Sequence, residues 1–81
     1  MPVAINVRYF ASLKELLGRT EDSLTYQQDL VVAEVWEQAV PTQTMPDNTL
    51  AAVNMEYVDL QHKVQDGDEV AFFPPVTGGL V

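Results

Sequence analysis

Residues 30–41, LVVAEVWEQAVP, carry the longest helical pattern in this chain. Four apolar residues of this stretch recur at the i, i+3, i+4, i+7 spacing of one helical face: Val32, Val35, Trp36 and Ala39. Pro41 ends the pattern, because proline cannot continue a helix. The stretch predicts one principal amphipathic helix, with Trp36 on the face that packs into the core.

Strand patterns lie on both sides of this helix. PVAINVRYF alternates strictly, with Val3, Ile5, Val7 and Tyr9 on one face and Ala4, Asn6, Arg8 and Phe10 on the other. EDSLTYQQ predicts a second strand before the helix. After the helix, residues 50–53 and 57–58 predict two short strands around a turn, and residues 69–73 predict a last strand after the Asp66-Gly67 turn.

Two local details refine this pattern. ASLKELLG predicts a short helix, in which Ser12 and Glu15 have capping-box spacing, Gly18 ends the helix, and three leucines form an apolar stripe: Leu13, Leu16 and Leu17. Asn54 suits a position of positive φ in the turn between the two short strands.

The order is strand, short helix, strand, long helix and then strands. It predicts an α+β fold in which one mixed sheet curls over one main helix, the ubiquitin-like β-grasp. A ferredoxin-like sheet uses similar pieces, so periodicity alone leaves both folds open. We expect residues 1–73 to form the β-grasp domain and residues 74–81 to form a flexible C-terminal tail.

Composition narrows the function. The chain has 81 residues, 47% of them hydrophobic, enough for one small domain with a well-packed core. Without cysteine it has no disulfide, thiolate nucleophile or cysteine metal site. The net charge of −8 argues against nucleic acid and anionic membranes as partners. That charge serves either solubility or encounter with a basic protein. No long apolar run or secretory signal is visible, so we expect a cytoplasmic protein.

The sequence contains no recognisable conventional active site. His62, the only histidine, lies in a polar stretch without a serine or cysteine motif to pair with it, which indicates an exposed residue. Asp66, Asp68 and Glu69 lack the spacing of a calcium loop, and a tight acidic turn accounts for them. We therefore expect no metal site.

The C-terminal segment FFPPVTGGLV has the composition of an extended arm. Pro74 and Pro75 prevent pairing inside a sheet, and Gly78 and Gly79 make the segment slim. From Phe73, six extended residues reach about 20 Å, enough to enter a deep pocket of another protein. A frayed terminus is the alternative, but fraying does not explain the Phe-Phe-Pro-Pro that precedes the glycines.

Alternation in the last strand predicts the direction of its aromatic residues. If Val70 and Phe72 face the core, then Ala71 and Phe73 face outward, and Phe73 becomes an exposed anchor at the root of the tail. The alternative is that Phe72 points outward, or that neighbouring side chains cover both rings.

Three segments together resemble a known family: VRYFASLKELLG (residues 7–18), LAAVN (residues 50–54) and DGDEVAFFPPVTGG (residues 66–79). The chain is similar to the small subunits of molybdopterin synthase, the ubiquitin-like sulfur carriers of molybdenum-cofactor synthesis. The resemblance runs the whole length of the chain. The C-terminal block is the specific part, whereas residues 20–48 are not specific.

The resemblance implies a mechanism in which the chain is a non-catalytic subunit of a sulfurtransferase. An E1-like adenylating enzyme would use ATP to activate the carboxylate of Gly79, and sulfur would displace AMP to leave a thiocarboxylate. The tail would then enter the large catalytic subunit, where the sulfur attacks cyclic pyranopterin monophosphate. The chain would bind no cofactor of its own, and the complex would be a heterotetramer of two small and two large subunits.

The resemblance also implies roles for individual residues. Gly79 is the residue activated, and five residues form the threaded arm: Pro74, Pro75, Val76, Thr77 and Gly78. Phe73 matches the family's aromatic residue at the partner interface. Tyr57 takes the place of an apolar interface residue, in a looser match.

Leu80 and Val81 depart from the family, whose chains end at the second glycine. They fit a precursor that a protease trims, residues added by cloning, or a variant that binds the large subunit without carrying sulfur in this way. Two other functions stay open: a related carrier for thiamine or thiolated-tRNA synthesis, and a binding-only ubiquitin-like module. The sequence FFPPVTGG favours the molybdenum family, because thiamine carriers tend to be shorter and have different residues before the glycines.

Overall fold

The computed structural model describes residues 4–75. Within this range the chain forms five strands and two helices in the order β1 Ala4–Tyr9, α1 Ser12–Leu17, β2 Glu21–Thr25, α2 Val32–Ala39, β3 Leu50–Val53, β4 Glu56–Val58 and β5 Glu69–Phe73. The strands make one sheet in the order β2-β1-β5-β3-β4. The central pair, β1 and β5, is parallel, and the other neighbours are antiparallel. This mixed sheet with one principal helix confirms the predicted β-grasp.

The register of the strands separates a buried face from an outer face. Val7 lies opposite Val70, and Tyr9 lies opposite Phe72, which in turn pairs with Ala51 of β3. These side chains point toward α2 and are all buried. The core that they share contains Ile5, Val7, Tyr9, Leu13, Leu30, Val32, Val35, Trp36, Val40, Ala51, Val53, Val64, Val70 and Phe72.

Trp36 is buried in this core, as predicted. Its ring meets the rings of Tyr9 and Phe72 edge to face, with centroid distances of 6.0 Å and 5.1 Å. Edge-to-face packing of this kind stabilises beyond the burial of area alone. The indole Nε1 donates a hydrogen bond of 3.0 Å to the carbonyl oxygen of Gln43, so the polar atom of this buried residue is satisfied.

The main helix is fixed at both ends. The backbone N–H of Val31 donates to the carboxylate of Glu34 at 3.1 Å, and the N–H of Val40 donates to the carbonyl of Trp36 at 2.7 Å. The helix ends at Ala39, just ahead of Pro41, as expected.

The short helix corrects one prediction. Ser12 is the first helical residue, not the N-cap, and Ala11 occupies the N-cap without a side-chain hydrogen bond. The chain turns earlier than the capping-box spacing suggests, because Ala11 has a φ of 53° and the N–H of Leu13 already bonds to the carbonyl of Phe10. Gly18 ends the helix in the left-handed region, as predicted, with a φ of 71°.

The leucine stripe on this helix is only partly buried. Leu13 lies in the core and Leu17 packs against it, but Leu16 remains 48% exposed. The apolar face of the short helix is therefore narrower than the sequence predicts.

A polar network joins β1, β2 and the end of α2. The Tyr9 hydroxyl donates to Asp22 at 2.7 Å, and Arg19 donates from Nε to the same carboxylate at 2.6 Å. Arg19 also donates from Nη2 to the carbonyl of Ala39 at 2.9 Å, which satisfies one free carbonyl at the helix end. Burial, followed by the hydrogen bond to Asp22, raises the pKa of the Tyr9 hydroxyl far above its ordinary value.

This raised pKa predicts a loss of stability in alkali. The folded state holds the Tyr9 proton more tightly than the unfolded state, whose tyrosine has a pKa of 10.0. The contribution of Tyr9 is therefore fully present below about pH 10 and is lost as the pH rises above that value. We expect urea midpoints measured between about pH 9 and pH 11 to fall in the parent chain and to fall less in Tyr9→Phe.

Tyr57→Phe, which removes an exposed hydroxyl instead of a buried one, is the matched control. Equal alkaline slopes for Tyr9→Phe and the parent chain would contradict the assignment.

Candidate functional site

The face of the sheet that α2 does not cover carries a row of aligned side chains. Arg8 lies opposite Ala71, Ala71 lies opposite Ala52, and Ala52 lies opposite Tyr57, so the row crosses β1, β5, β3 and β4. In the next row along β5, Phe73 lies opposite Leu50. The prediction that Ala71 and Phe73 face away from the core is confirmed, because Val70 and Phe72 are fully buried.

These rows surround a depression that we call the outer hollow. It has a volume of about 450 Å³ and is lined by Arg8, Phe10, Ala52, Met55, Tyr57, Glu69, Ala71 and Phe73. Ala52 and Ala71 have short side chains and sit in neighbouring strands, whereas larger side chains stand around them. The alanines therefore form the floor of the hollow, and the aromatic rings form its walls.

Phe73 forms one wall of this hollow, and its role as an anchor for a partner stays a prediction. Its ring stacks on Phe10 with centroids 4.8 Å apart and planes 8° apart, and it meets Tyr57 at 5.9 Å. Phe73 is therefore half-buried. The ring faces outward, as expected, but it is exposed only in part, because the rings of Phe10 and Tyr57 cover some of its surface.

Three other residues that line the hollow expose apolar surface. Met55 is 92% exposed, Tyr57 is 72% exposed and Phe10 is 38% exposed. The structure brings together Tyr57 and Phe73, the two residues that the family resemblance names as interface residues. Phe10 and Met55 are interface candidates that sequence reasoning missed. The alternation in the first strand did place Phe10 on the outer face, but nothing local connected it with Phe73.

The β3–β4 turn positions Met55 and Tyr57 at the rim of the hollow. Asn54 and Met55 both have positive φ, 50° and 73°, which makes a tight two-residue hairpin. The prediction for Asn54 is confirmed. Its side chain ties the turn to the start of β5, since Nδ2 donates to Asp68 at 2.9 Å and Oδ1 accepts the N–H of Glu69 at 3.1 Å.

One ion pair lies along the polar side of the hollow. Arg8 Nη1 is 3.4 Å from Glu69 Oε2, and both side chains are partly exposed. An ion pair in this setting contributes little to stability, so its main effect here is to hold Arg8 over the β1 side of the hollow. The Arg8 guanidinium carbon lies 6.0 Å from the centroid of the Phe10 ring, and both side chains line the hollow.

The tail begins at the wall of the hollow. Pro74 is half-buried and Pro75 is exposed, and both follow Phe73 without strand pairing. The remaining predicted tail and site residues lie outside the described residues: Val76, Thr77, Gly78, Gly79, Leu80 and Val81. Tyr57 and Phe73 therefore lie beside the start of the tail at Pro74.

The other titratable candidates have structural surroundings. His62 is exposed, and its backbone carbonyl accepts the N–H of Val32 at 3.0 Å. Asp68 accepts from Asn54 and from the N–H of Gln65, which shapes the turn before β5. Across residues 4–75, no three histidine, cysteine or carboxylate side chains cluster closely enough to hold a metal ion. In the same range no helix is long and apolar enough to cross a membrane.

Comparison with known proteins identifies the family. Residues 7–79 match the ThiS family, so the match includes both glycines of the tail and ends before Leu80. The chain belongs to the ThiS family. A molybdopterin synthase sulfur carrier subunit of Escherichia coli is 42% identical over 82 residues, with 93% of this chain and 99% of the relative covered. The corresponding subunit of Haemophilus influenzae is 35% identical with the same coverage.

Solved structures agree on the fold of this ThiS-family chain. SAMP1 from Haloferax volcanii is 26% identical and superposes with a TM-score of 0.75, covering 94% of this chain and 99% of its own. A chain from the complex of subunits 1 and 2 of the Helicobacter pylori molybdopterin-converting factor is 21% identical, with a TM-score of 0.65 and coverage of 94% and 99%.

The ring contacts of the hollow predict different effects on stability. Phe73→Ala removes contacts with two rings and should lower the free energy of unfolding by about 1–3 kcal/mol. Tyr57→Ala should lower it by less than about 1 kcal/mol, because most of this side chain is already in water. Urea unfolding measures both.

Leu16→Ala, which truncates a half-exposed leucine away from the hollow, is the control for loss of apolar area alone. A Phe73→Ala chain as stable as Leu16→Ala would show that the ring stack contributes nothing.

Proposed function

We propose that this chain is the sulfur carrier subunit of a molybdopterin synthase. The observation that carries the proposal is the 42% identity to a subunit of that name over 93% of this chain. The family match, which extends to Gly79, and the FFPPVTGG motif support the same function. The site described above suits a carrier, because it offers an interaction surface and an arm without catalytic side chains.

In the proposed reaction the chain supplies a carboxylate and carries sulfur on it. The Gly79 carboxylate attacks the α-phosphate of ATP on an E1-like enzyme, releasing pyrophosphate and leaving an acyl-adenylate. A sulfur nucleophile then displaces AMP to give the thiocarboxylate. In the large catalytic subunit this sulfur attacks a carbon of cyclic pyranopterin monophosphate and forms a C–S bond. Water then cleaves the bond between the Gly79 acyl carbon and the sulfur, which returns the carboxylate, and two such transfers supply the dithiolene. A glycine at this position leaves the carbonyl open to attack from either side.

The fold supports this role by directing the tail. Strand β5 is paired on both sides, with β1 and with β3, so its end is held in place. Pro74 and Pro75 lack the N–H that continued pairing requires, and the arm leaves the sheet there. The outer hollow lies beside this exit point and supplies a surface for the subunit that receives the arm.

We propose the large catalytic subunit as that receiving partner. The H. pylori neighbour belongs to a complex of subunits 1 and 2 of a molybdopterin-converting factor, which supports a partner of this kind. The absence of cysteine, and so of any disulfide suited to an oxidising compartment, supports a cytoplasmic location.

Leu80 and Val81 set a condition on this function. While they are present, the carbonyl of Gly79 is in a peptide bond and has no carboxylate to activate. We propose that the active carrier ends at Gly79 after their removal. The same two residues favour the second candidate, a ubiquitin-like module that binds the large subunit without carrying sulfur.

Reconstitution distinguishes these functions. A chain ending at Gly79 should form molybdopterin when it is mixed with the activating enzyme, ATP, a sulfur donor, the large subunit and the pyranopterin precursor. The chain that retains Leu80 and Val81 should bind the large subunit but form no product. Gly79→Ala in the shortened chain should lower the transfer rate by at least about tenfold, since a side chain at the reacting carbonyl misplaces it.

Circular dichroism of Gly79→Ala should match the parent chain, because the buried core is built from residues 5–72. Product formation by the chain with an intact Leu-Val end would contradict the proposed activation at Gly79. Failure of the shortened chain to form product, with binding retained, would favour the binding-only module.

A further inference from the structure

A second cavity, larger than the outer hollow, lies beside the main helix. It has a volume of about 740 Å³ and is formed by α2, by the loop of residues 41–49 that leads from α2 to β3, and by Leu60; we call it the loop groove. No residue lines both this groove and the outer hollow. Because α2 covers the buried face of the sheet, the loop groove lies on the helix side of the molecule, away from the outer face.

The lining of the groove includes a continuous apolar part. Trp36 and Val40 are buried and line the groove from the core side, and Met45 and Leu60, which are half-buried and pack against the core, line it closer to the surface. An open cavity with apolar side chains at this depth can accept an apolar group from a partner.

Hydrogen bonds hold the loop that forms the outer wall. The Trp36 indole donates to the carbonyl of Gln43 at 3.0 Å, and the Thr49 hydroxyl donates to the carbonyl of Pro46 at 2.6 Å. Pro41 and Pro46 also restrict the backbone of this wall. The groove is therefore formed before anything binds, and a partner does not have to order the loop.

The charges at the groove have one sign. Glu37 and Asp47 line it and are exposed, and none of its lining residues is basic. Neither carboxylate takes part in the three ion pairs found within residues 4–75. The net charge of −8 adds a long-range attraction for a positively charged partner. Apolar lining beside two carboxylates therefore fits a group that is both apolar and basic.

The length of the groove suits a segment of protein chain. Its helix side runs from Ala33 to Val40, which is about 10 Å along the axis of a helix. This length accommodates about three residues of an extended segment or about two turns of a helix.

From these observations we propose that the loop groove binds a basic, amphipathic segment of a partner protein other than the subunit that receives the tail. An apolar side chain of that segment lies against Met45 and Leu60, and a lysine or arginine lies beside Glu37 and Asp47. The groove and the tail root are on different sides of the sheet, so both partners bind at once. The loop also belongs to residues 20–48, which the family resemblance does not specify. This binding does not require sulfur transfer and goes beyond the proposed function.

Amide NMR with a designed probe is the first test. The probe is a short synthetic peptide with leucine at helical spacing and lysine elsewhere, and the control peptide has glutamate in place of lysine. At physiological salt the lysine peptide should shift residues 33–49 and Leu60, and the glutamate peptide should shift none of them. No binding by the lysine peptide, or shifts spread over all the acidic surfaces, would overturn the proposal.

Charge removal is the second test. Glu37→Gln combined with Asp47→Asn keeps the shape of the groove and should weaken binding of the lysine peptide by about tenfold or more. Glu56→Gln combined with Asp66→Asn is the matched control, because it removes two exposed carboxylates that do not line the groove. The control should bind within about twofold of the parent chain. Equal losses in the two double variants would show that only the total charge matters, which contradicts a site.

Met45→Gln tests the apolar part of the groove. The side chain keeps its length but becomes polar, so affinity for the lysine peptide should fall by about fivefold, with a thermal midpoint that shows a folded chain. Parent-like affinity in this variant would contradict an apolar contact at the groove.

Binding to the large subunit separates this proposal from the carrier function. In a chain that ends at Gly79, the Glu37→Gln, Asp47→Asn variant should bind the large subunit and transfer sulfur as the parent does. Loss of that binding would place the groove in the tail-receiving interface and overturn a separate partner. Failure of the parent chain to form molybdopterin, with the lysine peptide still bound at the groove, would overturn the carrier function alone.

Discussion

Strand β5 is hydrogen-bonded on both edges, in parallel to β1 and antiparallel to β3, and this double pairing fixes every side chain along it. Since side chains alternate along a strand, a slip of one residue would move Val70 and Phe72 out of the core. The edge-to-face contact of Phe72 with Trp36 at 5.1 Å holds that register from the helix side. The directions of Ala71 and Phe73 follow from the same constraint.

The arrangement of the outer face depends on this register. Ala71 is placed against Ala52 and Phe73 is placed beside Phe10 and Tyr57, so one end of the sheet has an apolar hollow and the root of the tail together. The other end of the same face, across β1 and β2, carries polar residues such as Asn6 and Ser23. On this face, the described apolar surface around Phe10, Tyr57 and Phe73 therefore lies at the end where the arm begins.

Much of the fold is readable from the sequence because its signals are local. Alternation identifies β1 and β5, the i, i+4 spacing identifies α2, and Asn54 and Gly67 identify turns, where both have positive φ. The capping-box prediction at Ser12 failed because the turn begins at Phe10 and Ala11, where β1 ends beside β5. Spacing along the chain cannot reveal that tertiary cause.

The site was only half predictable for the same reason. Local alternation turns Phe73 outward, but its stacking on Phe10 joins residues at opposite ends of the chain and depends on the parallel pairing of β1 with β5. In the sequence Met55 is an ordinary turn residue, and its place in the lining of the hollow depends on the sheet order. The tail residues Val76, Thr77, Gly78 and Gly79 remain predictions from the family resemblance.

The claim that the outer face of the sheet docks the partner is tested most directly by backbone amide NMR. Spectra of the labelled chain are recorded with and without the large catalytic subunit. We predict that the largest shifts fall on residues around the hollow, on β5, β4 and the Asn54-Met55 turn, and that the exposed side of α2 is unchanged. Shifts concentrated on α2 and the loop of residues 41–49, with the hollow unaffected, would contradict that role for the outer face.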